Sequence, residues 1–275
     1  MFYTLSAIFT RIFSNSYINV NQKILTKGGL SSSVVNFYTY FGLTVLSLLI
    51  LPIFSIDFSS ELLKFVVIMG ILGALGNYYI IKALSIGELS SLAPINSYKP
   101  VVALLIGFLY LNEVPSVKAV LGIILIILGT YFIFAPAKNF NKIAIFYRVL
   151  ALIFSASEAI FIKKIIIMSG VAQSFILWSI AGFVFSVFFI TGKNIITPKP
   201  LVKNQLLLVA LTAIMQYSTN FVFSKINVSY ALALFQLSTL VSVYLGANIF
   251  HEKDLRRKLT ASIIMIIGAV IIILS

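Results

Sequence analysis

Residues 83–136 read ALSIGELSSLAPINSYKPVVALLIGFLYLNEVPSVKAVLGIILIILGTYFIFAP. A short polar link opens the stretch. An apolar segment interrupted by Pro94 and Pro100 follows, then a tight turn ending at Pro115, then a cleaner apolar segment. Each apolar run approaches the ~20 residues that carry a helix across a hydrocarbon core of ~30 Å. The unit returns in degenerate form over residues 223–273, as FSKINVSYALALFQLSTLVSVYLGANIFHEKDLRRKLTASIIMIIGAVIII. A shift of about 139 positions lays Ser85 on Ser224, Ser90 on Ser229, Val102 on Val241, Gly107 on Gly246, Glu113 on Glu252 and Gly129 on Gly268.

The repeat reaches back to the first helix of each half. FSNSYINVNQKILTKGGLSSS (13–33) lies over FSASEAIFIKKIIIMSGVAQS (154–174) at a shift of about 141. Phe13/Phe154, Ser14/Ser155, Ser16/Ser157, Lys23/Lys164, Gly29/Gly170 and Ser33/Ser174 coincide. Two units are therefore expected, residues 1–137 and 138–275, joined at Ala137–Lys142. Apolar helices also match by chance. The aligned Ser, Lys, Glu and Gly positions, at nearly equal shifts, favour duplication.

Composition names the solvent. Of the 275 residues 60% are hydrophobic and 10% charged, with a mean hydropathy of +1.09; a soluble domain is roughly 25% charged. So few charges cannot cover a water-facing surface, so lipid must face most of the chain. Cysteine is absent, which excludes disulfides and thiolate metal sites. The net charge of +13 would suit nucleic acid, but the basic residues sit in short loops between apolar runs, as in a membrane protein with positive loops. Arg11 lies inside the first apolar run, and no basic segment precedes that run as in a secretory signal. Runs such as Leu121–Leu128 do not alternate in polarity, which speaks against a β-barrel.

Ten transmembrane helices are expected, near residues 2–22, 33–54, 62–82, 89–111, 116–136, 146–167, 172–191, 204–224, 228–250 and 257–275. The fold class is an all-α membrane protein. Five spans per half make the second half start on the opposite face from the first, so the two units would be inverted repeats. That is a transporter architecture, with a site near the midplane between repeats. Ten spans put both termini on one face. That face carries Lys64, Lys118, Lys163, Lys164 and Lys225 in its loops. The other carries Lys23, Lys27, Lys82, Lys138, Lys142, Arg148, Lys193, Lys199, Lys203, Lys253, Arg256, Arg257 and Lys258. The positive-inside rule assigns the second face to the cytoplasm.

Ionisable groups at bilayer depth cost several kcal/mol and mark function. Glu158 falls near the middle of the sixth helix, Lys99 well inside the fourth beside Pro100, and Arg11 near the middle of the first. Glu158 and Arg11 are candidate ion-coupling residues, Glu158 as a proton carrier because desolvation raises a carboxyl pKa. A brace pairing Glu158 with Arg11 or Lys99 is the alternative, and Arg11 could instead snorkel to an interface. Candidate substrate-binding residues are Asn15 and Asn19 on the first helix, Asn77 and Tyr78 on the third, Asn96 and Lys99 on the fourth, Gln216, Tyr217 and Asn220 on the eighth, and Gln236 on the ninth. Lys99 beside a proline kink is well placed to meet an anionic substrate group. Singly, the amides read as interhelical hydrogen bonds; together they outline a polar cavity. Trp178 reads as packing or lipid-facing. Gly70, Gly73 and Gly76 would let the third helix approach a neighbour, and Gly122 and Gly129 the fifth. Pro94 and Pro100 free backbone carbonyls, tolerated where they face protein or a cavity.

No H-E-x-x-H, G-x-S-x-G or Walker A pattern occurs, and the lone histidine, His251, stands in a charged turn. No enzyme, metal site or cofactor is expected. The expected partners are a small-molecule substrate, the lipid bilayer, and protons or an exchanged solute, with the chain a monomer or homodimer and no nucleic acid bound. A multi-pass protein of the cell (inner) membrane is expected. The different-class alternative is a membrane assembly or receptor subunit that moves no cargo.

The pattern carried by Ala83, Pro94, Pro100, Gly107, Glu113, Pro115, Gly122 and Gly129, echoed by Gly246, Glu252 and Gly268, resembles an EamA-type member of the drug/metabolite transporter superfamily. The resemblance implies a ten-helix secondary transporter with a central cavity lined by helices 1, 3, 4, 6, 8 and 9. It implies metabolites, amino acids or related small solutes as cargo. It also places both termini in the cytoplasm, against the loop charges, so orientation stays open. Ala233 and Thr239 stand where Pro94 and Pro100 do, so the two halves need not move alike.

Overall fold

A computed structural model describes residues 2–56, 59–99, 101–102, 116–134, 141–190, 199–226 and 228–274. Gly107, Glu113 and Pro115, the link at residues 137–140, and Pro100 lie outside the described residues. Among the described residues there is no strand. The helices are α1 (Phe2–Lys27), α2 (Ser32–Ile50), α3 (Ser60–Ile86), α4 (Leu89–Leu92), α5 (Val117–Phe134), α6 (Lys142–Ser169), α7 (Val171–Val187), α8 (Lys199–Lys225), α9a (Val228–Phe235), α9b (Ser238–Phe250) and α10 (Leu255–Ile273). Four helical stretches are long and apolar enough to cross a membrane: Ser32–Ile53, Ser60–Ile86, Lys142–Ser169 and Pro200–Lys225. Shorter apolar helices include Val117–Ile133, Val171–Val187 and Ser238–Phe250.

Local chemistry sets the ends. The side chains of Ser31, Ser59 and Asn141 accept backbone N–H groups at the starts of α2, α3 and α6, satisfying donors that a helix N-terminus leaves open. The Asn141 cap starts α6 four residues ahead of the expected position 146. Gly29 and Gly170 follow α1 and α6 at φ +97°, a conformation that favours glycine.

Two expected spans are broken. The fourth, expected over 89–111, is α-helical through Leu92, tightens to a 3-10 turn over Ala93–Tyr98, and is α-helical again at Lys99 and Val101–Val102. Pro94 supplies no N–H to a carbonyl one turn back, which ends the α-helix. The ninth, expected as one helix over 228–250, breaks at Gln236–Leu237. There the bonds become three-residue turns, Leu237 N–H to Leu234 O (3.2 Å) and Thr239 N–H to Gln236 O (2.8 Å). No proline marks this break. The first helix holds it instead: Ser16 Oγ donates to Ser238 O (2.9 Å) and Asn15 Nδ2 to Ser238 Oγ (3.2 Å).

The principal packing pairs are α1 with α8, α3 with α6, α2 with α7, α3 with α7, and α5 with α10. Small residues allow the close crossings. A Cβ on Gly122 would come within 2.6 Å of Gly268 O, and one on Gly70 within 2.6 Å of Ala181 Cβ. A Cβ on Gly129 would strike Met265, whereas Gly76 leaves ordinary contact distance to Ser155.

A polar clasp fastens the C-terminal end of α1 to the loops before α4 and α10. Lys23 Nζ meets Glu252 Oε1 at 2.6 Å, with both side chains 5% exposed. The Glu252 carboxylate also accepts Leu89 N–H (2.8 Å) and Ser90 N–H (2.7 Å), and Lys23 donates to Gly87 O (2.9 Å). Lys258 donates to Glu88 (2.6 Å) and Ser90 Oγ (2.8 Å). Burial pushes the Glu252 carboxyl up, but Lys23 and the Ser90 hydrogen bonds outweigh it and hold the group below its usual value. Lys23, Arg148 and Lys258, expected as loop cations, are thus buried groups within helices, and Lys82 and Lys163 also lie on helices. They stop serving as loop charges that report orientation.

Candidate functional site: a polar cavity between the helices

Four helix faces meet around a cavity of about 150 Å³. The wall from α1 carries Arg11, Asn15, Ile18, Asn19 and Gln22; that from α6 carries Arg148, Ala151, Ser155, Glu158 and Ile162. α3 adds Gly73, Gly76, Asn77 and Ile80, and α8 adds Thr212, Met215, Gln216, Thr219 and Phe223. These positions recur three to four apart, so each helix turns one stripe to the cavity. Asn96 and Lys99 come from the broken fourth span, Leu232 and Phe235 from α9a, Tyr40 from α2 and Trp178 from α7.

Glu158 is the centre of the arrangement. Trp178 Nε1 donates to its Oε1 at 2.6 Å, and the Trp178 ring packs at 5.1 Å from that of Tyr40. Gly73 faces the carboxylate: a Cβ there would collide with Glu158 Oε1. Among the described residues Glu158 enters no contact ion pair with Arg11 or Lys99, though its charge acts on Lys99 through space. The Arg11 guanidinium lies 4.2 Å from the centroid of the Phe235 ring, a cation–π contact. Arg148, 3% exposed, donates through Nε to Leu92 O (3.1 Å) and through its terminal nitrogen to Asn96 Oδ1. It thereby satisfies a carbonyl beside the proline break. A chain of amides links three helices: Gln22 donates to Asn77 (3.0 Å), Asn77 to Asn36 (2.7 Å).

Of the twelve residues singled out in the sequence, Arg11, Asn15, Asn19, Asn77, Asn96, Lys99, Glu158 and Gln216 line the cavity. Four do not. The Tyr78 ring stacks on Phe189 at 5.2 Å and its hydroxyl accepts from Lys82, since its helix position turns it away from Asn77. Tyr217, next to Gln216 on α8, is 45% exposed. Asn220 is buried against Gln216, 2.9 Å away. Gln236 sits in the break of the ninth span and donates to Leu232 O.

Tyr40, Trp178, Arg148 and Gln22 also line the cavity, beyond the residues the sequence singles out. Trp178, which reads as packing or lipid-facing, does pack in the core, and it also lines the cavity; its indole N–H is the clue, since it demands a partner when buried. Arg148 was placed in a loop because its helix starts earlier than the hydrophobic pattern suggests. Gln22 lies one turn beyond Asn19 on the same face, a spacing that would have found it.

No curated protein matches the chain. Among solved structures, 28 chains match. One, a protein crystal structure, superposes with a TM-score of 0.61 at 14% identity, covering 98% of this chain and 95% of its own; at that identity the likeness concerns fold. The model of the EamA-like transporter family matches residues 2–135. Residues 2–135 are thus similar to the EamA-like transporter family, and the chain is a multi-pass integral membrane protein.

Proposed function

We propose that this protein is a secondary active transporter that moves small metabolites, amino acids or related solutes, by alternating access. One observation carries the reading: a polar cavity holding Glu158, Lys99 and Arg11 sits inside an apolar helix bundle. Braces account for Arg148 and Lys23, each with close partners. They do not account for Lys99 or for the cavity, which a non-transporting assembly subunit would have no use for.

Inverted repeats of residues 1–137 and 138–275 are part of the proposal, and the packing supports them. Exchanging α1–α5 for α6–α10 turns the α1–α8 pair into α6–α3, and α3–α7 into α8–α2; α2–α7 and α5–α10 return to themselves. All of these are packed pairs. Gly29 and Gly170, aligned by the repeat, share φ +97°. The two halves can then exchange inward-open and outward-open forms. The Lys23–Glu252 clasp, whose lysine directly follows the cavity residue Gln22, serves as the closure on one face. Glu158 serves as the coupling group, releasing and taking a proton as the cavity changes sides.

The test is flux. Protein reconstituted in proteoliposomes should take up a member of a panel of radiolabelled amino acids and organic acids faster than empty vesicles. Absence of flux for the whole panel, with insertion verified by protease accessibility, would overturn the carrier reading.

A further inference from the structure

The cavity wall is unbalanced in charge. Its described residues include three cations, Arg11, Lys99 and Arg148, and one carboxylate, Glu158. Two of the four groups have partners. Arg148 is spent on Leu92 O and Asn96, and Glu158 accepts the Trp178 indole N–H. The other two do not. Among the described residues Arg11 makes only its contact with the Phe235 ring, and its Nε is buried without a hydrogen-bond partner. Lys99 makes no hydrogen bond and no ion pair among the described residues; the ion pairs there involve Lys23, Arg257 and Lys258.

A cation inside a membrane bundle is costly without a counter-charge. Here Glu158 offsets Lys99 only in part: its attraction is smaller than the repulsion Lys99 feels from Arg11 and from Arg148. Trp178 keeps the Glu158 carboxylate beneath Gly73, where the absent side chain makes room for it. Two unpaired cations thus face one small space. A negative guest would supply their missing partner; a cationic or neutral solute would leave them unpaired. The volume of about 150 Å³ is below the 300–1,000 Å³ usual for drug-sized ligands, so the guest has few heavy atoms.

Resting on the carrier reading of this same cavity, we infer that the cargo is a small organic acid bound as its anion. Its carboxylate sits between Arg11 and Lys99. Asn15, Asn19 and Gln216 face the same space and offer neutral hydrogen bonds to the rest of the molecule.

Trp178 is the one tryptophan of the chain and stands on the cavity wall, so its fluorescence reports the cavity directly. The full chain in nanodiscs is titrated with iodide, caesium and acrylamide as anionic, cationic and neutral quenchers. Acetate, lactate, succinate and glutamate are then compared, each against its neutral amide, for shielding of Trp178. Iodide should quench several-fold better than caesium, and at least one acid should shield where its amide does not. The double variant Arg11→Gln/Lys99→Gln should lose the iodide preference and weaken acid shielding by about tenfold or more per lost charged hydrogen bond. Its acrylamide quenching should stay unchanged. Arg11→Lys/Lys99→Arg, which keeps both charges, should retain the iodide preference, and the exposed Lys118→Gln should behave as the unaltered chain.

Caesium quenching as good as iodide, shielding by amides as good as by acids, shielding by no acid, or unaltered shielding in the Arg11→Gln/Lys99→Gln variant would each overturn the inference. Acid binding without flux would overturn the carrier reading and leave the anion site standing. Flux restricted to neutral or cationic solutes would do the reverse.

Discussion

At Gly73 an absent side chain decides where a carboxylate lies. Glu158 Oε1 occupies the space a methyl would take, and Trp178 fastens it there. In Gly73→Ala the carboxylate must swing away, which a flexible side chain allows for about 1 kcal/mol. The melting temperature should therefore change little, while Trp178 fluorescence shifts and flux falls; an unchanged emission spectrum would show that Glu158 did not move. Glu158→Gln keeps an oxygen for the Trp178 bond and removes the titratable proton. Accumulation driven by a pH gradient should drop to the equilibrium level, with exchange of labelled for unlabelled cargo preserved. Persistent gradient-driven accumulation would take the coupling role away from Glu158. Glu158, Lys99 and Arg11 were legible as single residues because lipid-depth charges are rare. Tyr78 and Tyr217 were not rightly read: adjacent helix positions point about 100° apart, so the neighbour of a cavity residue faces elsewhere.

Among the elements, the fourth and ninth spans teach opposite lessons. Pro94 announces its break in the sequence, while the ninth span breaks at Gln236–Leu237 through contacts that lie far off in the chain. Ser16 and Asn15 take the polar groups of Ser238 that the break exposes. Ser16→Ala should lose about 1 kcal/mol of stability, measured by thermal denaturation in detergent; a loss near zero would mean the break does not need α1. The clasp is an element-scale device as well. Glu252→Ala leaves Lys23 buried without its counter-ion, and breaking a buried pair from one side costs about 3–5 kcal/mol. Glu252 is held below the ordinary carboxylate value of about 4.3, so the clasp contributes stability above that pH and loses it as pH falls through the lower value of the folded protein. Melting temperature should therefore drop on acidification below about pH 4, and Glu252→Gln should remove that component. An identical acid limb in the variant would exclude Glu252 as its source. The repeat alignment had already set Lys23 and Glu252 at matched positions, but only folding showed that they meet each other.

For the molecule as a whole, the sequence carried helix number and apolar character, because lipid imposes a length and a polarity on every span. It did not carry which helices pair. That depends on shape at crossings such as Gly122 with Gly268, where backbones nearly touch. If the halves rock about the cavity, joining the clasp covalently must arrest the cycle. A Cβ on Gly246 would lie 3.2 Å from Ser90 Cβ, inside the ~3.8 Å of a disulfide, and would press on Ser90 N (2.9 Å) and Glu252 Oε2 (2.7 Å), so the cross-link forms with a small shift of the clasp; the chain has no cysteine of its own. Ser90→Cys/Gly246→Cys should lose flux under oxidation and regain it with reductant. Full flux in the oxidised form, with the cross-link verified by mass spectrometry, would mean that this face never opens.

The partnership of α5 with α10 reaches into biogenesis. Neither helix contributes a described residue to the cavity, yet Ile126 and Ile133 of one bury against Ala261, Met265 and Ala269 of the other. The ribosome delivers α5 long before α10. During synthesis the earlier helix must wait in lipid with its glycine-bearing seam uncovered until α10, made much later, closes it. Assembly of this bundle is therefore a post-insertion event, and mutations along that seam should surface as quality-control losses rather than as altered selectivity.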